Sequence, residues 1–143
     1  MKIGNTPKQA MRYGLDFKPL WFWYGSESQK RLVAKWSVVD CDVDYLRVAI
    51  HCAYELEEGK YDLKAYTKKI IPMMKMMQTA DPRIKFFGSP LPLNEGIEKA
   101  RWQPYPKWIT GDDGRKFHFQ WEKCAEYLVR YVKLMKSYGL RIH

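Results

Sequence analysis

Cysteine is scarce in this chain. Only Cys41, Cys52 and Cys124 occur, widely spaced and odd in number. No CxxC pair and no Cys/His spacing of a zinc site is present, which excludes a disulfide framework or a zinc ribbon. Each thiol reads most simply as a small buried apolar residue. Long apolar runs are missing as well. None approaches the roughly 18 residues needed to cross a bilayer, so no membrane span is expected. The opening Gly4-Asn5-Thr6-Pro7 lacks the apolar stretch of a signal peptide. No glycine-rich phosphate loop follows either strand-like segment, which weighs against a nucleotide-binding doubly wound fold. No cofactor is expected. His118 and His143 have no partners at metal-ligand or triad spacing and read as structural. Acidic residues are outnumbered, 16 against 25 Lys and Arg, for a net charge of +9.

What is present is apolar and aromatic. Of the 143 residues, 46% are hydrophobic and 15% aromatic, including six Trp and ten Tyr. That composition is globular, and the length is that of one ordinary domain. Surplus aromatics fill a core or build stacking platforms for sugars or bases. The positive charge permits binding to nucleic acid, a membrane surface or an acidic polysaccharide. The bases are dispersed, however. Lys64, Lys68, Lys69 and Lys75 fall on a helix-like stretch, where a solvated face is the simpler reading.

Along the chain, Thr6-Pro7 has the form of a helix start, with a short helix running to Tyr13 and ending at Gly14. The run Leu20 to Tyr24 fits a buried strand or a helix turn. A helix is predicted over Gln29 to Val38. Tyr45-Leu46-Arg47-Val48-Ala49-Ile50 reads as a strand buried on both sides, of the parallel-sheet type. Arg47 interrupts it, and a buried guanidinium is costly unless it meets a carboxylate. Glu55 to Tyr61 is a polar loop. A helix from about Asp62 to Gln78 carries Leu63, Tyr66, Ile70, Met73, Met74 and Met77 as a packing face, with Pro72 kinking or restarting it. Ile84 to Gly88 is a second short strand. A connection from Ser89 to Phe117 holds Trp102, Tyr105 and Trp108, and a loop of that length inside a compact domain is usually functional. The longest helix spans Phe119 to Tyr138, with Trp121, Cys124, Ala125, Leu128, Tyr131, Val132 and Met135 as its apolar stripe. Gly139 stops it, and Leu140 to His143 begins another strand. Strands alternating with amphipathic helices argue for an α/β fold on a parallel sheet.

Three stretches resemble a known family. Asp81-Pro82-Arg83-Ile84-Lys85-Phe86-Phe87-Gly88-Ser89-Pro90 resembles the third barrel strand of retaining glycoside hydrolases such as family 30 and its relatives. Tyr45 to Ile50 resembles their second strand. Ala125-Glu126-Tyr127-Leu128-Val129 through Gly139-Leu140 resembles the helix entering their fourth. The match covers roughly residues 44 to 143. It departs at Leu91, where the family usually has Trp after the Ser-Pro, so the barrel superfamily is the firmer resemblance.

The resemblance implies a partial parallel (β/α) TIM barrel, about strands two to four, with 1–143 forming one incomplete glycoside hydrolase domain. It also implies a polysaccharide or oligosaccharide substrate and a retaining mechanism needing two carboxyl groups about 5 Å apart. In the family these Glu residues follow the fourth and seventh strands, and neither is present here. A whole barrel needs roughly 200 to 250 residues. A truncated, inactive chain is therefore expected, prone to self-association or to pairing with the missing half-barrel, with nucleic acid and membrane not expected as partners.

Arg47 resembles the Arg that related barrels place beside the nucleophile; an ion pair with a structural acid is the alternative. His51, Tyr54 and Glu55 follow the second strand at its C-terminal end, where barrel sites lie, and are candidates for hydrogen bonds to sugar hydroxyls. The alternative is packing for Tyr54 and solvation for Glu55. Glu55, Glu57 and Glu58 together read as a solvated run. Ser89, in the stretch that resembles the third barrel strand and its exit, joins the candidate substrate-binding set. Trp102, Tyr105 and Trp108 either stack on sugar rings or pin the loop to the barrel. A reading from another class remains beside these: a non-catalytic carbohydrate- or nucleic-acid-binding α/β module.

Overall fold

The computed structural model describes residues 13–16, 25–90, 105–111 and 119–143. The helix expected from Thr6 to Tyr13 (apart from Tyr13 itself, which is not helical), the apolar run 20–24 and Trp102 lie outside them. Three parallel strands form the sheet: β1 Gly14–Asp16, β2 Tyr45–Ile50 and β3 Lys85–Pro90, in the order β1-β2-β3. Ile142 adds a parallel bridge to Phe86, and the His143 N–H donates to the Phe86 carbonyl at 2.8 Å. The expected strand start at the C-terminal end of the chain is therefore laid against β3. Gly14 belongs to a strand rather than to the end of a helix. Three residues are too few for periodicity to show, and Tyr13 is fixed from far away: Asp44 and Tyr45 N–H both donate to its carbonyl.

Helix α1, Glu27–Lys35, begins two residues before the expected start because Ser26 and Gln29 form a capping box. It continues as a π-helical turn, Trp36–Asp40. A second π-turn, Tyr66–Ile70, precedes α2, Ile71–Ala80. Pro72 sits in the first turn of α2, where its missing N–H is tolerated, and the widened turn before it takes up the mismatch. A short α3, Lys107–Thr110, lies within the long connection. Helix α4, Trp121–Ser137, ends in a Schellman motif: Gly139, at φ 77, donates to the Lys136 carbonyl and Leu140 to that of Met135.

Leu46, Val48 and Ile50 of β2 and Phe86 of β3 join Ala34, Val38, Ile70, Met73, Met74, Met77, Tyr127, Tyr131 and Met135 in one buried cluster. The methionine face is thus packing, as expected. The helices cover the sheet face that Leu46, Val48 and Ile50 present. The opposite face, with Tyr45, Arg47, Lys85, Phe87 and Ser89, stays partly open, and Phe87 is 36% exposed. The expectation that β2 is buried on both sides is met on one side only.

Two further expectations are corrected. Trp121 is 73% exposed, and Ala125 and Val132 also face solvent, while Tyr127 is fully buried. The buried face of α4 is Cys124, Tyr127, Tyr131 and Met135, so the true stripe is rotated from the expected one. Cys41 is exposed, whereas Cys52 and Cys124 are buried. Gly88 is tightly placed: a Cβ there would lie 2.9 Å from Ile50 Cδ1.

Candidate functional site

All strands of a parallel sheet point the same way, so the loops that follow them gather at one edge, where α/β folds bind ligands. Near that edge, on the open face, Arg47 reaches both neighbouring strands. Its Nη1 lies 3.2 Å from Asp16 Oδ2 on β1, and its Nη2 donates to Ser89 Oγ on β3 at 3.2 Å. The register makes this unavoidable, because Asp16 and Arg47 are directly paired. The carboxylate that a mid-strand Arg requires is therefore Asp16. Sequence reading missed it because β1 itself was missed. Arg47 is only 28% exposed against 52% for Asp16, so the pair is half in water and modest in energy. Asp16 is the one acid among the described residues of this face.

The other candidates gather behind the sheet. His51 is buried, and its backbone N–H donates to Tyr66 Oη at 2.7 Å. Tyr54 is fully buried, and its hydroxyl donates to the Tyr127 carbonyl at 2.6 Å. Glu55 is 0% exposed. Its Oε1 accepts from the Gly59 N–H at 2.9 Å and lies 3.1 Å from Arg130 Nε. The solvated reading of the acidic run thus fails for Glu55 and describes the exposed Glu57, which pairs with Lys60, and Glu58, paired with Lys123 at 3.1 Å. A local run carries no sign of a cation 75 residues away.

Trp108 Nε1 donates to the Glu55 carbonyl at 3.0 Å, and the Arg130 guanidinium lies 5.4 Å from a Trp108 ring centroid. Tyr105 packs edge-on against Phe119 at 5.1 Å and hydrogen-bonds Cys124. Burial raises the Tyr105 phenol above its ordinary range. Arg130 was not singled out from the sequence, and although Tyr54, Tyr66 and Tyr131 were each named there, the packing of their rings with Tyr127 into one cluster was not foreseen. Burial pushes all four phenols well above their usual titration range.

The structure therefore brings Arg47 and Ser89 together on an accessible face, and buries His51, Tyr54 and Glu55, with the half-buried Trp108 packed against Glu55. Among the described residues no three His, Cys, Asp or Glu side chains are placed to hold a metal ion, and no helix is long and apolar enough to cross a membrane.

Neither a protein-family model nor a curated protein matches the chain. Solved structures do, and what they show is a glycoside hydrolase-like fold. One is the endo-β1,6-glucanase BT3312, with a TM-score of 0.63 and 18% identity over 90% of this chain. Another is SrfJ from Salmonella typhimurium, with a TM-score of 0.63 and 15% identity over 90% of this chain. Likeness at such identities concerns the fold alone. The chain spans about a third of each, 32% of its length.

Proposed function

We propose that this chain is one wall of a (β/α) barrel in a retaining glycoside hydrolase that cleaves O-glycosidic bonds in a polysaccharide. The observation that carries this reading is the open face of the parallel sheet, with Asp16, Arg47 and Ser89 joined across three strands near its ligand edge. A parallel sheet is normally covered on both faces, and closing into a barrel covers the second one with further strands. Asp16 holds one arm of Arg47 and Ser89 the other, so the guanidinium is oriented before any ligand arrives. An Arg fixed in this way keeps a facing carboxylate ionised, which a glycosidase nucleophile requires. Both catalytic carboxylates come, in this reading, from strands outside these 143 residues. Arg47 and Ser89 face the sugar, while His51, Tyr54, Glu55, Tyr105 and Trp108 hold the loops behind them.

The test is to express the longest open reading frame containing these residues and assay it on β1,6-, β1,4- and β1,3-glucans and on acidic polysaccharides. Product configuration is followed by NMR. Hydrolysis with retained configuration is expected, and Arg47→Met lowers kcat by about 100-fold or more. Inverted product, or an unchanged kcat in the variant, refutes the reading. Binding to nucleic acid that falls steeply with salt, without hydrolysis, favours the non-catalytic module instead. The 143-residue chain alone is expected to be inactive and to self-associate through its uncovered face, as sedimentation velocity would report.

A further inference from the structure

Three segments far apart in sequence meet at Glu55. The residue lies in the turn Cys52–Glu55 that follows β2. Trp108 belongs to the connection that follows β3, and Arg130 to the middle of α4. Each is committed to the other two. Arg130 pairs with the Glu55 carboxylate, the Trp108 indole N–H takes the Glu55 carbonyl, and the Trp108 ring carries the Arg130 guanidinium. We infer that Glu55, Arg130 and Trp108 form one strut, which makes the 52–62 segment after β2 and the 105–111 segment after β3 open and close together. This inference rests on the proposed function only in calling those loops the ligand side.

The chemistry favours joint rather than separate opening. Releasing the β3 connection strips one face of the Arg130 guanidinium and leaves the Glu55 carbonyl without the indole. Releasing the β2 loop leaves Arg130 with the Trp108 ring and with Glu126, at 3.3 Å, in place of the buried Glu55 carboxylate. The first movement leaves a buried carbonyl without its donor, and the second takes the buried Glu55 carboxylate from its cation, so each leaves polar groups half-satisfied at a cost that the joined arrangement avoids. Further ties run in parallel. Lys123 of α4 holds Glu58, and the Gln120 N–H donates to the Ile109 carbonyl, so the start of α4 is fastened to both segments. Ile109 is fully buried as the apolar pin of α3. With its ring and N–H both engaged, Trp108 acts as a positioning residue, not as a sugar platform.

Native-state hydrogen exchange on the full chain tests this without any glycan. In the unmodified protein the amides of Gly59, Asp62, Ile109 and Gly111 are expected to share one opening free energy and one denaturant dependence. In Glu55→Gln, exchange at Ile109 and Gly111 should rise about 10-fold, although the substitution lies in the other loop. Arg130→Lys keeps the charge but loses the planar fork, and should accelerate both loops as well. Separate opening in the unmodified chain, or acceleration confined to 52–62 in Glu55→Gln, overturns the inference. Neither outcome bears on glycan hydrolysis. Should the variants fail to fold, the unmodified chain's exchange decides alone.

Discussion

Four fully buried tyrosines in one cluster, Tyr54, Tyr66, Tyr127 and Tyr131, differ mainly in what their hydroxyls meet. Replacing each by Phe keeps the ring and its buried area, so the apolar contribution cancels and the hydroxyl is read directly. Tyr66 Oη accepts the His51 backbone N–H at 2.7 Å. Tyr66→Phe leaves that donor buried and unpaired, at a cost of about 2 kcal/mol. Tyr54 Oη donates to the Tyr127 carbonyl, which remains part of the α4 ladder when the hydroxyl is gone. Tyr54→Phe therefore loses that bond and its contact with the Glu55 carboxylate, which keeps Arg130 and the Gly59 N–H, so nothing is orphaned and the cost is about 1 kcal/mol. The hydroxyls of Tyr127 and Tyr131 have no hydrogen-bond partner among the described residues. Removing either relieves a desolvated polar group and leaves stability unchanged or raised by about 1 kcal/mol. The assay is urea unfolding followed by far-UV circular dichroism, where 1 kcal/mol moves the midpoint by roughly 0.5 M at an ordinary slope. The expected order of loss is Tyr66, then Tyr54, then Tyr127 and Tyr131 together. A Tyr131→Phe midpoint that falls as far as that of Tyr66→Phe would refute the reasoning.

The same four phenols set an alkaline limit. Their folded pKa values lie above the unfolded value near 10, so above that pH the unfolded chain releases protons that the native one retains, and stability falls as pH rises. Phenolate absorbance from the cluster should appear only with unfolding, and its appearance under an intact near-UV spectrum would contradict this. Burial pushes the Cys52 thiol up to about 11, so thiol reagents should label the exposed Cys41 quickly and Cys52 only as the chain opens. Mass spectrometry of a timed labelling series checks the order. Gly88→Ala drives a Cβ into Ile50 and should cost about 1 to 3 kcal/mol. Adding Ile50→Val removes the closest atom and should recover part of the loss in thermal melts; no recovery would mean that the backbone, not the side chain, resists.

The carboxyl end of α4 and strand β2 were legible from the chain itself. Tyr45 to Ile50 is a run of β-prone residues between turn signals, and the methionine face of α2 recurs at helical spacing. Gly139 stops α4 because only a residue tolerant of positive φ closes that motif cheaply. These are local properties, set by neighbours within a few residues. The Ser26 and Gln29 capping box was equally local, and its spacing would have placed the start of α1 correctly.

Other features needed the tertiary structure. Strand β1 exists because β2 pairs with it, and Asp16 finds Arg47 only through that register. The buried face of α4 follows where the sheet and the 52–55 turn lie, which turns Tyr127 inward and leaves Trp121 in solvent. Glu55 shows the difference most clearly. Within its sequence neighbourhood it is one acid in a polar loop beside Glu57 and Glu58, and hydration is the cheaper state for an unpaired carboxylate. Only Arg130, 75 residues on, together with the Gly59 N–H, makes its burial affordable. Sequence determined which segments were helix or strand wherever the deciding contacts were local. Tertiary structure decided which charges are buried and which sheet face stays open, because a charge is buried only where a distant partner replaces its water.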